Sequence, residues 1–177
     1  MKSIFILLLA SLTGMVVAGS DDFPVYAPRT EIRGPRADKD FPIVDTANYK
    51  GAIVPAELAA RHRFLAKNYR EFWTPEPEQI AKAEVKISAF IAASKSEQAA
   101  EIGRKLKRFR RQYVGYLAGG EKCILCSFLP GVNDGEDPFS GLKRSFIKVY
   151  DGGPSFWSIH YQVEKDQCSR FSVDGGF

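Results

Sequence analysis

The chain has 177 residues, 45% of them apolar and 26% charged, and carries a formal net charge of +4. That length and balance suit one globular domain with a core of its own and exclude a disordered or collagen-like chain. So small a net charge gives no reason to expect a nucleic-acid partner, and three cysteines are too few for a disulfide-built scaffold.

The chain opens with Lys2 and the apolar run Ile4-Phe5-Ile6-Leu7-Leu8-Leu9-Ala10, then Val16-Val17-Ala18 ahead of Gly19-Ser20. A positive start, a short apolar centre and small residues before a cleavage point are the layout of a signal peptide, so residues 1–18 are expected to be removed on export. Ser11, Thr13 and Gly14 interrupt the run, which falls short of the roughly 20 apolar residues of a spanning helix. The first cysteine is Cys123, so no cysteine stands at the cleavage point to carry a lipid. The expected product is a soluble periplasmic or secreted protein with no membrane span.

Residues 19–50 read as an irregular lead-in, because Pro24, Pro28, Pro35 and Pro42 recur with Gly34 and no period emerges. Residues 51–177 read as a single α+β domain. Pro55 suits a helix start, and Leu58, His62, Leu65, Tyr69 and Phe72 follow at helical spacing, which predicts a helix over about 55–72. Thr74-Pro75-Glu76-Pro77-Glu78 announces a second helix ending near Ala93, with Ile80, Ala83, Ile87, Phe90 and Ile91 on its apolar face. Ser94 and Glu97 have capping-box spacing, and Ala99, Ile102, Leu106 and Phe109 carry a third helix to about Arg110.

Beyond Gln112 the period becomes two. Tyr113–Leu117 and Lys122–Leu129 read as a hairpin turning at Gly119-Gly120, followed by a polar loop over 130–142 and strands at Ser145–Tyr150, Phe156–Val163 and Cys168–Val173. Trp157, Ile159, Tyr161 and Val163 alternate with Ser158, His160, Gln162 and Glu164. That pattern predicts one buried and one wet sheet face. About three helices followed by an antiparallel sheet of four to five strands, packed on the long helix, is the expected architecture.

Few residues offer chemistry. Arg104, Lys105, Lys107, Arg108, Arg110 and Arg111 crowd a helix end. They suit an anionic polymer or an acidic envelope or extracellular protein, or simply a solvated face that complements the helix dipole. The binding candidates are therefore Arg104, Lys107, Arg108 and Arg111, with Trp157 and His160 on the sheet. Cys123 and Cys126 have CxxC spacing but lie in a strand, where residues three apart point to opposite faces and no helix N-terminus lowers a thiol pKa. Cys123–Cys168 is the preferred disulfide, leaving Cys126 a buried free thiol. Asn133-Asp134-Gly135-Glu136-Asp137 lacks the ligand alternation of a calcium loop. No catalytic set, cofactor or metal is implied.

Gln112-Tyr113-Val114-Gly115, after a long helix and leading into antiparallel strands, is similar to the Q-x-V-x-G pattern of cystatins. The resemblance covers four residues and implies a sheet wrapped around one helix, with protease inhibition as the associated activity. Three functions follow as expectations: a non-enzymatic exported binding module first, a cystatin-like protease inhibitor second, and a small hydrolase using His160 with neighbouring Ser158 or a carboxylate third.

Overall fold

The structure is a computed structural model that describes residues 30–131 and 139–174. The expected signal peptide, the first part of the lead-in and the acidic loop Asn133–Asp137 lie outside the described residues. Three short strands come first: β1 (Thr30–Arg33), β2 (Ile43–Asp45) and β3 (Lys50–Ile53). Helices α1 (Ala56–Arg61) and α2 (Arg63–Asn68), strand β4 (Phe72–Trp73), and helices α3 (Pro77–Ala93) and α4 (Glu97–Lys105) follow. After a 3-10 turn at Leu106–Arg108 come β5 (Arg110–Ala118), β6 (Glu121–Leu129), α5 (Phe139–Leu142), β7 (Ile147–Tyr150), β8 (Gly153–Gln162) and β9 (Gln167–Asp174).

The protein is α+β, as its sequence implies, with a largely antiparallel sheet. Strands precede the helices, however, and the main sheet has seven strands in the order β2-β3-β5-β6-β8-β9, with β4 also paired to β5. β1 and β7 form a separate two-stranded ribbon. The lead-in is thus partly regular. β3 pairs parallel to the first half of β5 and β4 antiparallel to its second half, so both share one edge of β5. Parallel neighbours need a long crossover, which α1 to α4 supply.

The helices also differ in detail from the expected ones. His62 takes an extended conformation (φ −81°, ψ 119°) that breaks the stretch 55–72 into α1 and α2. Its Nδ1 accepts a hydrogen bond from the Leu65 backbone N–H, so the histidine caps α2. Thr74 does not cap α3; Glu76 does, in a capping box with Gln79, while the Thr74 hydroxyl accepts from Ala56 N–H. The third helix stops at Lys105, five residues before its expected end, because Phe109 turns extended and starts β5.

Both faces of the sheet are covered. On the first face α3 and α4 pack Ile80, Ile87, Ile91 and Ile102 against Tyr113, Ile124, Phe128, Trp157 and Ile159. On the second, Leu65, Phe139, Leu142, Phe146 and Val149 pack against Val114, Tyr116, Leu125 and Phe156. The expected wet face does not exist, and the sheet does not wrap one helix.

Within the first layer lies an ion pair sealed from water. Arg111 donates through Nε to Glu84 Oε1 at 3.0 Å and through its other nitrogens to the carbonyls of Phe109 and Leu106. The Tyr113 hydroxyl donates to the same Glu84 oxygen at 2.8 Å. The three guanidinium nitrogens and Glu84 Oε1 are therefore each hydrogen-bonded, which favours tolerance of the burial.

Candidate functional site

The sequence-derived candidates separate in space. Arg104 and Lys107 are exposed at the end of α4 and in the 3-10 turn, and Arg108 is half-buried. Arg111 is only 1% exposed, inside the ion pair with Glu84. It is therefore excluded from the expected basic surface, because Phe109 ends the helix and the strand turns Arg111 inward. Trp157 is likewise 1% exposed and lies flat on Phe128, with ring centroids 3.6 Å apart and planes within 8°. It is a core residue of the first face rather than part of an aromatic binding surface.

The cysteines do not pair. All three are free. Cys123 belongs to the second face, whereas Cys168 packs against the first. Cys123 stands opposite Gln162, and Cys168 opposite Tyr161, so β8 runs between them. Two strand spacings put their backbones about 10 Å apart, beyond the roughly 7 Å a disulfide spans. Cys126 shares the face of Cys168 but is separated from it by the same strand. Burial pushes the thiols up, that of Cys168 to about 11.

Gln112-Tyr113-Val114-Gly115 lies in the middle of β5, buried, and not at the hairpin tip. Gln112 Nε2 donates to the carbonyls of Leu142 (2.6 Å) and Ser145 (2.8 Å), and its Oε1 accepts from Ile147 N–H (2.9 Å). It clamps the α5–β7 segment to the sheet. At Gly115 a Cβ would stand 2.4 Å from the Trp73 carbonyl oxygen, so β4 can pair there only with glycine. Packing thus occupies both the glutamine and the glycine of the cystatin-like pattern.

His160 does meet other polar groups. It lies on the second face of β8, as the alternation predicts, but is 7% exposed because α2 and β7 roof it over. A cavity of about 310 Å³ opens beside it. Ser127 and Ser158 are cross-strand partners, as are Ser158 and Ser172, so three hydroxyls form a row across β6, β8 and β9 along the cavity. Lys148 and Asp174 close one side as a two-oxygen ion pair at 2.5 and 2.6 Å. Arg170 and Tyr69 line the rest.

The imidazole is fixed in place. The Tyr116 hydroxyl and His160 Nδ1 are hydrogen-bonded at 2.6 Å, and Tyr69 lies against Tyr116 with ring centroids 4.1 Å apart. Burial, reinforced by the Arg170 charge, depresses the His160 pKa from 6.5 to about 4, so the ring is neutral at pH 7. Burial also raises the Tyr116 and Tyr69 hydroxyls. A neutral ring held by Nδ1 leaves Nε2 to act as a single donor or acceptor toward the cavity. Burial raises the Asp174 carboxyl, opposed by Lys148.

Arg170 reaches this side through a backbone irregularity. Its φ is +49°, and the β8–β9 register slips between Ser158/Ser172 and His160/Ser169. One extra residue in β9 makes a bulge, which returns Phe171 and Val173 to the face of Cys168 and leaves Arg170 at the cavity. Strict alternation conceals both consequences. Tyr116, Lys148 and Asp174 also escape sequence reasoning, although a lysine between Ile147 and Val149 in a strand is a signal of a polar inner position.

Among the described residues no group of His, Cys, Asp or Glu could hold a metal ion, and no helix is long and apolar enough to cross a membrane. No family model matches the chain, and neither a curated protein nor a solved structure does. Fold and site together define an α+β protein with a seven-stranded sheet and a polar recess on its second face.

Proposed function

We propose that the protein is a non-enzymatic binding module, exported from the cytoplasm, that takes up a small polar molecule with one negative charge in the His160 cavity. The layout of residues 1–18 supports the address. The convergence of Arg170, His160 and the Ser127–Ser158–Ser172 row on one recess carries the ligand reading. About 310 Å³ lies at the small end of ligand-binding cavities. Lys148 is neutralised by Asp174, so Arg170 is the cation left to pair with a ligand anion.

Catalysis by Ser158 and His160 has less support. No hydrogen bond joins them among the described residues, Tyr116 occupies Nδ1, and a histidine that titrates at about 4 is a weak base at neutral pH. A cystatin-like inhibitor would have to present a segment that is buried here.

Titration calorimetry with benzoate, 4-hydroxybenzoate and neutral benzamide tests the reading. Either carboxylate should bind, benzamide should not, and Arg170→Asn should weaken binding roughly tenfold through loss of a charge-assisted hydrogen bond. Asn accepts the positive φ of this position, so the backbone is kept. Equal binding of acid and amide, or no effect of Arg170→Asn, would refute it.

A further inference from the structure

A second recess lies on the other side of β7 from the His160 cavity. Its polar half is a cleft of about 540 Å³ between the segment after β1 and the segment joining α5 to β7. Arg33 and Arg36 stand on one wall, Lys143 and Arg144 on the other, with Ser140 between. These four cations come as two pairs far apart in the sequence, so no basic run marks them.

The walls are fixed to each other. Gly34 N–H donates to the Phe146 carbonyl, Ala37 N–H to that of Arg144 and Phe41 N–H to that of Lys143, and the Ser145 hydroxyl donates to the Gly34 carbonyl. Two carboxylates oppose the four cations. Asp40 pairs with both Lys143 (2.7 Å) and Arg144 (2.6 Å), and Glu31 pairs with Arg33. Arg36 is exposed and has no ion-pair partner among the described residues. The cleft therefore keeps an excess of positive charge in a preformed shape, the requirement for holding an anion with more than one oxygen.

The other half is mainly apolar, with the Glu31–Arg33 pair at its rim. A groove of about 310 Å³ shares Arg33, Ser140 and Gly141 with the cleft and continues along Leu129, Leu142, Ile147, Val149 and Phe156. The β1–β7 register explains the continuity, since it sets Arg33 opposite Ile147 and Glu31 opposite Val149 on one face. A cationic end and an apolar end meet at Gly141, where a Cβ would touch only Arg33 Nη1, at 4.0 Å.

We propose that this composite recess binds a single-chain amphiphile with an anionic head, the head among Arg36, Lys143 and Arg144 and the chain in the Leu142–Phe156 groove. Neither half suits the whole molecule alone. The cleft gives an alkyl chain only the stems of charged side chains, and in the groove Arg33 is already paired with Glu31.

The full chain is titrated calorimetrically with decyl phosphate and with decanoate, both below their critical micelle concentrations, and with inorganic phosphate and a neutral decyl glycoside. At least one decyl anion should bind about a hundredfold more tightly than inorganic phosphate, the gain from burying about four methylenes. The glycoside should not bind measurably. Whichever decyl anion binds identifies the head as phosphate or carboxylate. Gly141→Leu should fill the junction and abolish binding while leaving the melting temperature at or above that of the parent, since the site has room and leucine favours a helix over glycine. Arg36→Gln with Arg144→Gln, both away from the core, should weaken binding about tenfold or more. Equal binding of glycoside and anion, equal binding of inorganic phosphate and decyl phosphate, no binding of either decyl anion, or unchanged binding by either variant would each overturn the proposal.

Discussion

Acid should destabilise this protein in good part through His160, and the size of that contribution follows from its environment. Its pKa falls from 6.5 to about 4 on folding, mainly by burial and further by Arg170. A shift of about 2.5 units at 1.36 kcal/mol per unit amounts to about 3 kcal/mol. The folded pKa is the lower one, so between these values the unfolded chain binds more protons. The contribution is therefore present in full above pH 6.5 and is lost as pH falls toward 4. By pH 4.5 about 2.5 kcal/mol of it should be gone, a fall in melting temperature of roughly 5–10 °C for a chain of this size. His160→Asn removes the titration yet offers an oxygen to the Tyr116 hydroxyl. Urea denaturation of both proteins from pH 7.5 to 4.5 isolates the effect, because the lowered carboxyls of Asp40 and Asp166 and the lowered His62 are common to the two. The difference in stability between parent and variant should shrink by about 2.5 kcal/mol across the range. Parallel curves would show that His160 is as well solvated folded as unfolded, and the cavity description would fail with them.

The remaining predictions address the frame of the site. Glu84→Ala strands the Arg111 guanidinium in the core and should cost about 3–5 kcal/mol by chemical denaturation, whereas adding Arg111→Met should restore much of it. Gln112→Ala leaves the Ile147 N–H unmatched and should cost about 1–3 kcal/mol, with the earliest loss of amide-exchange protection in β7. An oxidised preparation should react at three thiols with Ellman's reagent in denaturant and at none rapidly when native; two thiols missing after denaturation would reveal a bridge and a different β8–β9 arrangement. Papain should retain full activity in excess purified protein, because Gln112 and Gly115 are held inside β5.

Where the sequence was explicit, local physics decided the structure. α3, the β5–β6 hairpin at Gly119-Gly120 (φ +62° and +84°) and the alternation of β8 follow from period, an early proline and positive-φ glycines, although Glu76 and not Thr74 caps α3. What stayed hidden is tertiary. β3 is four residues, Lys50-Gly51-Ala52-Ile53, with little strand propensity of its own. It is a strand because β5 supplies its partner 60 residues later. The break at His62 is equally non-local in origin, since its ring lies edge-on to Phe146 at 5.0 Å, in a layer built from the far end of the chain. The two covered faces did leave a trace. Cys123-Ile124-Leu125-Cys126-Ser127-Phe128-Leu129 is almost continuously apolar, the signature of a strand buried on both sides. The alternation of β8, with Ser158 and His160 on its polar side, marks a recess roofed by other elements rather than open water.

The bulge in β9 decides how the cavity is built. Without it Arg170 would lie on the first face, among Trp157 and Ile159, where an unpaired guanidinium could not be buried. The left-handed φ of Arg170 carries a conformational penalty, for a non-glycine residue with a long side chain, of order 1–3 kcal/mol. The ladder on either side holds it there, through Ser172 opposite Ser158 and Cys168 opposite Tyr161. One backbone distortion thus sets two things together: Phe171 and Val173 close the first core, and a cation is delivered beside His160. Deleting Ser169 should therefore remove the extra residue and the register slip without turning any neighbour to the other face. Arg170 would then stand opposite His160 in an ordinary strand, with Cys168, Phe171 and Val173 still on the first face. The variant should fold and keep the depressed His160 pKa, which a histidine proton titration by NMR checks; an unfolded chain, or a His160 that titrates near 6.5, would refute this account of the bulge.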